Sequence, residues 1–272
     1  MIFDFSNYDQ LLPLVTNSLI VGAILAVVGG LVGVFVINRD MSFAVHGISE
    51  LSFAGASITL LIGGNVILGS VLGSLVAAVV IGALGAKAKE RNSITAVLMP
   101  FGLGLGILAL SLYQGRASNK FGLLTGQIVA VDDPQLISIS ILGAVVVTTL
   151  LVIWRPLTFA SIDAEVASAR GVATRSLSVI FMLLLGLAVA ASIQVVGALL
   201  VLSLLVTPAA AAVRLSRSPF VIPILSVAFA FVAVVGGILL ALGSSLPISP
   251  YVTSISFLIY LVARGIEWVK TR

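Results

Sequence analysis

Long apolar runs separated by short polar breaks dominate the chain. The first runs from Leu11 to Ile37 and stops at Asn38, Arg39 and Asp40. Ser42 to Ile62 follows, broken by Gly63, Gly64 and Asn65, and Val66 to Ala86 is closed by the charged stretch 87–91. Ser93 to Tyr113 is the fourth run. A polar loop, Gln114 to Pro134, holds Arg116, Lys120, Asp132 and Asp133 and leads to the fifth run, Gln135 to Trp154. A longer polar segment, 155–175, precedes the apolar stretch Ser176 to Val213, which is too long for one crossing at about 1.5 Å per residue. Gln194 is its strongly polar interior side chain and marks the expected turn between two crossings. Arg214 to Ser218 is basic, and Phe220 to Leu242, Ser249 to Ala263 and the tail RGIEWVKTR complete the chain. At ~20 apolar residues per span, the pattern predicts an all-α, polytopic transmembrane helical bundle of about nine spans. Eight spans and one re-entrant segment is the alternative.

Charge gives the bundle a direction. With Arg39 placed in the cytoplasm, Lys87, Lys89, Arg91, Arg155, Arg170, Arg175, Arg214, Arg217, Arg264, Lys270 and Arg272 all fall on the same side if 176–213 crosses twice. Of the 14 cations, only Arg116 and Lys120 then lie outside. This positive-inside bias predicts an external N-terminus and a cytoplasmic C-terminus. It also accounts for the net charge of +4 without nucleic-acid binding.

Composition agrees. The 272 residues are 60% hydrophobic and 9% charged, with a mean hydropathy of +1.27, whereas soluble domains carry about 25% charged residues. The expectation is one transmembrane domain, 1–272, with no built-in ATPase. No cleavable signal is expected, because residues 1–10 carry Asp4 and Asp9 and no cation. Zero cysteines exclude disulfides and thiolate chemistry.

An ionisable side chain inside a span is costly and therefore a functional candidate. Of the ten acidic residues, only Glu50 sits within an apolar run, and the single histidine, His46, precedes it by one helical turn. Spacing i, i+4 puts both on one face, where imidazole and carboxylate can ligate Zn, Mn or Fe. A mutual hydrogen bond serving packing, or a proton relay, would use the same pair. The segment 155–175 contains a helix-compatible piece, Ser161 to Ala169, with Asp163 and Glu165 near its start, Arg170 at its end and Gly171 as a stop. It suits docking of a separate motor subunit, and equally an ordinary solvated loop. Gly102, Gly104 and Gly106 lie in an apolar run without a following Lys-Ser/Thr, so helix packing is expected there rather than phosphate binding. No nucleophile, base and orienting group occur together, and no enzyme activity is expected.

The chain resembles the membrane permeases of ATP-binding-cassette importers for zinc, manganese and iron. The first span, with Asn17, Gly22, Gly30, Gly33 and Arg39, is similar to the family's opening helix. The stretch 121–136, FGLLTGQIVAVDDPQL, is similar to a further family segment. FASIDAEVASARGV at 159–172 resembles the family's cytoplasmic F-D-x-x-x-A-x-x-x-G-V pattern. IQVVGALLVLSLLVTPAAAAVRL at 193–215 resembles its Q-x-V-G signature through Gln194, Gly197, Leu199, Leu200, Pro208 and Ala209. The family's M-x-x-x-x-D-x-L-S-H-x-x-x-P-G motif corresponds here to MSFAVHGISELSFAG. His46 stands at the Asp position, Glu50 at the His position and Ala54 at the Pro position.

The resemblance implies a homodimer of this chain in a prokaryotic plasma membrane, joined by two cytoplasmic ATPase subunits and served by an extracytoplasmic metal-binding protein. His46 and Glu50 would be the ligands of the transported ion, which is cargo; no permanently bound cofactor is implied, and ATP belongs to the partner. Ile162, Asp163, Glu165, Ala167, Arg170 and Gly171 would form the segment that docks on the ATPase. Two other readings stay open on the residues alone: a proton-coupled secondary transporter using Glu50, and a related permease for an iron chelate or cobalamin.

Overall fold

In the computed structural model, the described residues are 8–85, 88–115, 122–123, 131–244 and 248–270. Lys87, Arg116, Lys120, Arg272, Asp4 and half of the 121–136 stretch therefore lie outside them. The described residues are helical, with no β-strand. After a short lead-in (Tyr8–Leu11 and a tight turn, Leu12–Val15), the helices are α1 (Thr16–Asn38), α2 (Ser42–Leu61), α3 (Val66–Leu84), α4 (Ala88–Leu112), α5 (Asp133–Ile162), α6 (Ala164–Ala169), α7 (Thr174–Val196), α8 (Val201–Leu205), α9 (Thr207–Leu215), α10 (Val221–Leu242) and α11 (Ile248–Lys270). Eight of them are long and apolar enough to cross a membrane.

Local chemistry sets the boundaries. Asn65 caps α3 by accepting from the backbone N–H of Ile67 and Leu68, and Asp132 caps α5 by accepting from that of Gln135. Between α1 and α2 the chain reverses within three residues. Asp40 takes a left-handed conformation (φ 52°), and the N–H groups of Asp40 and Met41 return to the carbonyls of Ile37 and Val36. This is a Schellman turn with Asp in the place usually given to Gly.

The run 176–213 is broken, but at Gly197 rather than Gln194. Gln194 remains inside α7, and Gly197 adopts φ 85°, a conformation that favours a residue without Cβ. Beyond it a single 3₁₀ turn, α8 and α9 run back beside α1. Gly29 lies against Leu204, and Gly33 against the Leu205 carbonyl and Ala209. Arg214 near the end of α9 pairs with Glu267 near the end of α11 at 3.1 Å. The fifth apolar run also continues further than its composition suggests: α5 passes through Arg155 and Pro156 to Ile162. Proline removes one intrahelical hydrogen bond there without ending the helix.

Small residues bring the helices together. Gly55 and Gly69 meet backbone to backbone across α2 and α3, Gly73 abuts the Leu51 carbonyl, and the Ser52 hydroxyl donates to the Ser70 carbonyl at 2.9 Å. Gly102 and Gly106 let α4 lie on Glu50–Leu51 and on the Phe53 ring, whereas Gly104 faces open space. The glycine triplet is thus a helix-packing device in two of its three positions.

Candidate metal site and coupling segment

The turn of α2 that carries His46 and Glu50 is enclosed by its neighbours. A Cβ on Gly102 would stand 2.9 Å from the Glu50 carbonyl carbon, and one on Gly47 would stand 2.6 Å from Thr95 Cγ2, so α4 covers this part of α2 closely. On the other side, the Ser49 hydroxyl donates to the Ala198 carbonyl at 2.9 Å, tying α2 to the break after α7. The Glu50 side chain is left 3% exposed and the His46 side chain 28% exposed.

His46 Nε2 and Glu50 Oε1 are 3.8 Å apart. That is too long for a hydrogen bond. It is short enough for one ion to bind both, because two donors each about 2.1 Å from a metal stand at most about 4.2 Å apart. Glu50 Oε2 is buried and, among the described residues, accepts no hydrogen bond. A carboxyl group kept only for packing would be expected to receive donors from its surroundings; neither oxygen of Glu50 does so from His46. The pair therefore has unused ligating capacity. Among the described residues no group of three His, Cys, Asp or Glu side chains comes together, so no third such side chain joins the pair there.

The second candidate is a short helix between two long ones. Asp163 ends α5 in an extended conformation, and its carboxylate accepts from the N–H of Glu165 and Val166, so α6 begins at Ala164 rather than at Ser161. The segment closes in a second Schellman turn: Gly171 N–H donates to the Ser168 carbonyl and Val172 N–H to that of Ala167, with Gly171 at φ 84°. Ala167 is buried, while Glu165 and Arg170 are exposed. Ile162 and Val166 present apolar side chains that are 80% and 46% exposed. The helix thus has defined ends and an outward apolar face next to charged neighbours.

Two arginines take part in ways that the sequence pattern does not reveal. Arg39 reaches Ser161 and Ser178, and Arg91 donates to the carbonyls of Arg39 and Asp40. Each sits beside an apolar run and reads as a topology marker. No local signal reports partners so far along the chain.

The family described as the ABC 3 transport family matches residues 11–266. The manganese import system permease protein ScaB of Streptococcus gordonii is 30% identical over 250 residues, covering 91% of this chain and 89% of that protein. The high-affinity zinc uptake system membrane protein ZnuB of Haemophilus influenzae is 26% identical, covering 82% and 86%. A solved structure, PsaBC from Streptococcus pneumoniae in complex with Fab, superposes with a TM-score of 0.81 at 25% identity over 91% of this chain and 89% of that one.

Proposed function

The chain belongs to the ABC 3 transport family, and from that premise we propose that it is the membrane permease subunit of an ATP-driven importer for a divalent transition metal. Manganese and zinc are the metals named for its relatives, and iron has the same ligand chemistry. The observation that carries the reading at the site is Glu50: a buried carboxyl group inside a span, whose Oε1 is 3.8 Å from His46 Nε2 and whose Oε2 meets no donor among the described residues. These two side chains bind the ion in transit. A metal crossing a bilayer must exchange its water for fixed oxygen and nitrogen donors, and a pair on one helical face offers both.

The working unit is a homodimer of this chain with two cytoplasmic ATPase subunits, supplied by an extracytoplasmic metal-binding protein. The eight long helices and the returning arm α8–α9 make nine crossings, with the N-terminus outside and the C-terminus inside, in a prokaryotic plasma membrane. Residues 1–272 act as one permease domain. ATP is bound and hydrolysed on the partner, and this chain supplies the alternating path. The segment 155–175 is where the motor docks, through Ile162, Asp163, Glu165, Ala167, Arg170 and Gly171.

The test is uptake by the complex reconstituted in liposomes. Metal should accumulate only with ATP on the ATPase side, and competing Mn, Zn and Fe should rank the cargo. Uptake by this chain alone, driven by a proton gradient and indifferent to ATP, would replace the proposal with a secondary transporter.

A second expected result concerns docking. The double substitution Ile162→Asp, Val166→Asp puts charge on exposed apolar positions. It should weaken ATPase association by at least about tenfold, as loss of interface anchors does, and leave the melting of the isolated permease unchanged. An unaffected complex in a binding titration would remove α6 from the interface.

A further inference from the structure

Arg39 stands where three parts of the protein meet. Its main chain forms the turn from which α2 departs toward His46 and Glu50. Its guanidinium donates through Nη1 to the Ser161 hydroxyl at 3.3 Å and through Nη2 to the Ser178 hydroxyl. Ser161 lies at the end of α5, two residues before the cap of α6, and Ser178 lies in the first turns of α7, after the Gly171 stop. One side chain therefore grips both limbs between which α6 is slung. The Phe181 ring, 5.8 Å from the guanidinium carbon, covers the group. Among the described residues Arg39 Nε, which is buried, has no acceptor, and the side chain holds the two limbs through its two Nη atoms. Burial, and secondarily the neighbouring Arg91, lower the pKa of Arg39 from its usual value. Arg91 fixes the same turn from the other side, its Nη2 donating to the Arg39 and Asp40 carbonyls at 3.1 Å each.

From this arrangement, and resting on the importer reading above, we infer that Arg39 is a positioning residue that transmits movement of the ATPase-docking segment to the helix carrying His46 and Glu50. The guanidinium suits the task because its planar fork holds two acceptors in fixed directions at once, which a lysine ammonium on a flexible stem does not. A displacement of α6 carries Ser161 and Ser178 with it. Arg39 passes that displacement to a turn already held rigid by its Schellman closure and by Arg91, and thence to the first turns of α2. Neither the docking surface nor the metal pair includes Arg39, so it serves the transport cycle through them rather than by contact with the ion.

The experiment uses the complete importer in liposomes, with metal uptake and ATP hydrolysis measured together. Arg39→Lys keeps the positive charge and loses the fork; Ser178→Ala keeps Arg39 and removes its acceptor on α7. Both should leave ATPase association and basal hydrolysis intact while lowering the ions moved per ATP by at least about tenfold, within the usual range of inter-site coupling. An unchanged ratio in both variants, with wild-type uptake dependent on ATP, would overturn the inference and leave the importer reading standing. So would a fall in transport that merely tracks lost complex assembly and a lowered melting temperature, since that is what a purely structural role produces. Wild-type uptake indifferent to ATP would overturn the importer reading itself, and the inference with it.

Discussion

Glu50→Gln should reduce metal uptake by roughly 10–100-fold or more, the loss that follows even when a metal ligand's supporting partner is removed. The side chain keeps its size and loses its capacity to bind as a carboxylate. Folding should not suffer. Glu50 is 3% exposed, its Oε2 meets no donor among the described residues, and its Oε1 is 3.8 Å from His46, so the wild-type group is a cost to the fold rather than a support. The variant should melt in detergent at the wild-type temperature or above it. His46→Ala should lose uptake likewise. The combined exchange His46→Asp, Glu50→His keeps one imidazole and one carboxylate a helical turn apart and should retain uptake where the single changes do not. Uptake measured in cells without another route for the metal checks all three. Wild-type accumulation in both Glu50→Gln and His46→Ala would remove the pair from the path.

Gly55→Val should have the largest effect on folding. A Cβ at this position would run into the Gly69 carbonyl oxygen, with Gly73 Cα 3.2 Å away. Both are backbone atoms and neither can rotate aside. Helices α2 and α3 must separate, which breaks the contact of Gly73 with Leu51 and the Ser52–Ser70 hydrogen bonds. Overpacking of this kind costs about 3 kcal/mol or more, and the helix displaced is the one that carries His46 and Glu50. The expected outcome is a sharply lowered melting temperature and little assembled complex. Gly104→Val is the control, because a Cβ there has no neighbour within 4 Å. Equal stability of the two variants would show that the α2–α3 contact does not depend on its glycines.

The apolar helices and the candidate pair were legible because lipid makes a simple demand. A side chain that can ionise is expensive in hydrocarbon, so Glu50 stood out among ten acidic residues, and i, i+4 spacing joined it to His46 without any knowledge of the fold. The break in the long run 176–213 was legible as a necessity of length, but its position was not. Polarity pointed to Gln194, whereas the backbone turns at Gly197, where a positive φ is needed. Composition likewise ended the fifth run at Trp154, while α5 runs on to Ile162 because a proline and an arginine can continue a helix that neighbours support. The network of Arg39 with Ser161 and Ser178 was out of reach. Its members lie 122 and 139 residues apart, and hydroxyl partners leave no pattern that local periodicity can detect.

The break at Gly197 also bears on how this protein can be recombined with its relatives. The carbonyls freed around it are met from outside the segment: Gln135 Nε2 donates to that of Gln194 at 3.4 Å, the Ser249 hydroxyl to that of Val196 at 3.4 Å, and the Ser49 hydroxyl to that of Ala198 at 2.9 Å. Buried backbone carbonyls of this kind are costly to leave without donors. The stretch 174–215 is therefore not a module that a chimera can exchange alone. It travels with positions 49, 135 and 249, on three other helices, or it arrives without the donors that close it.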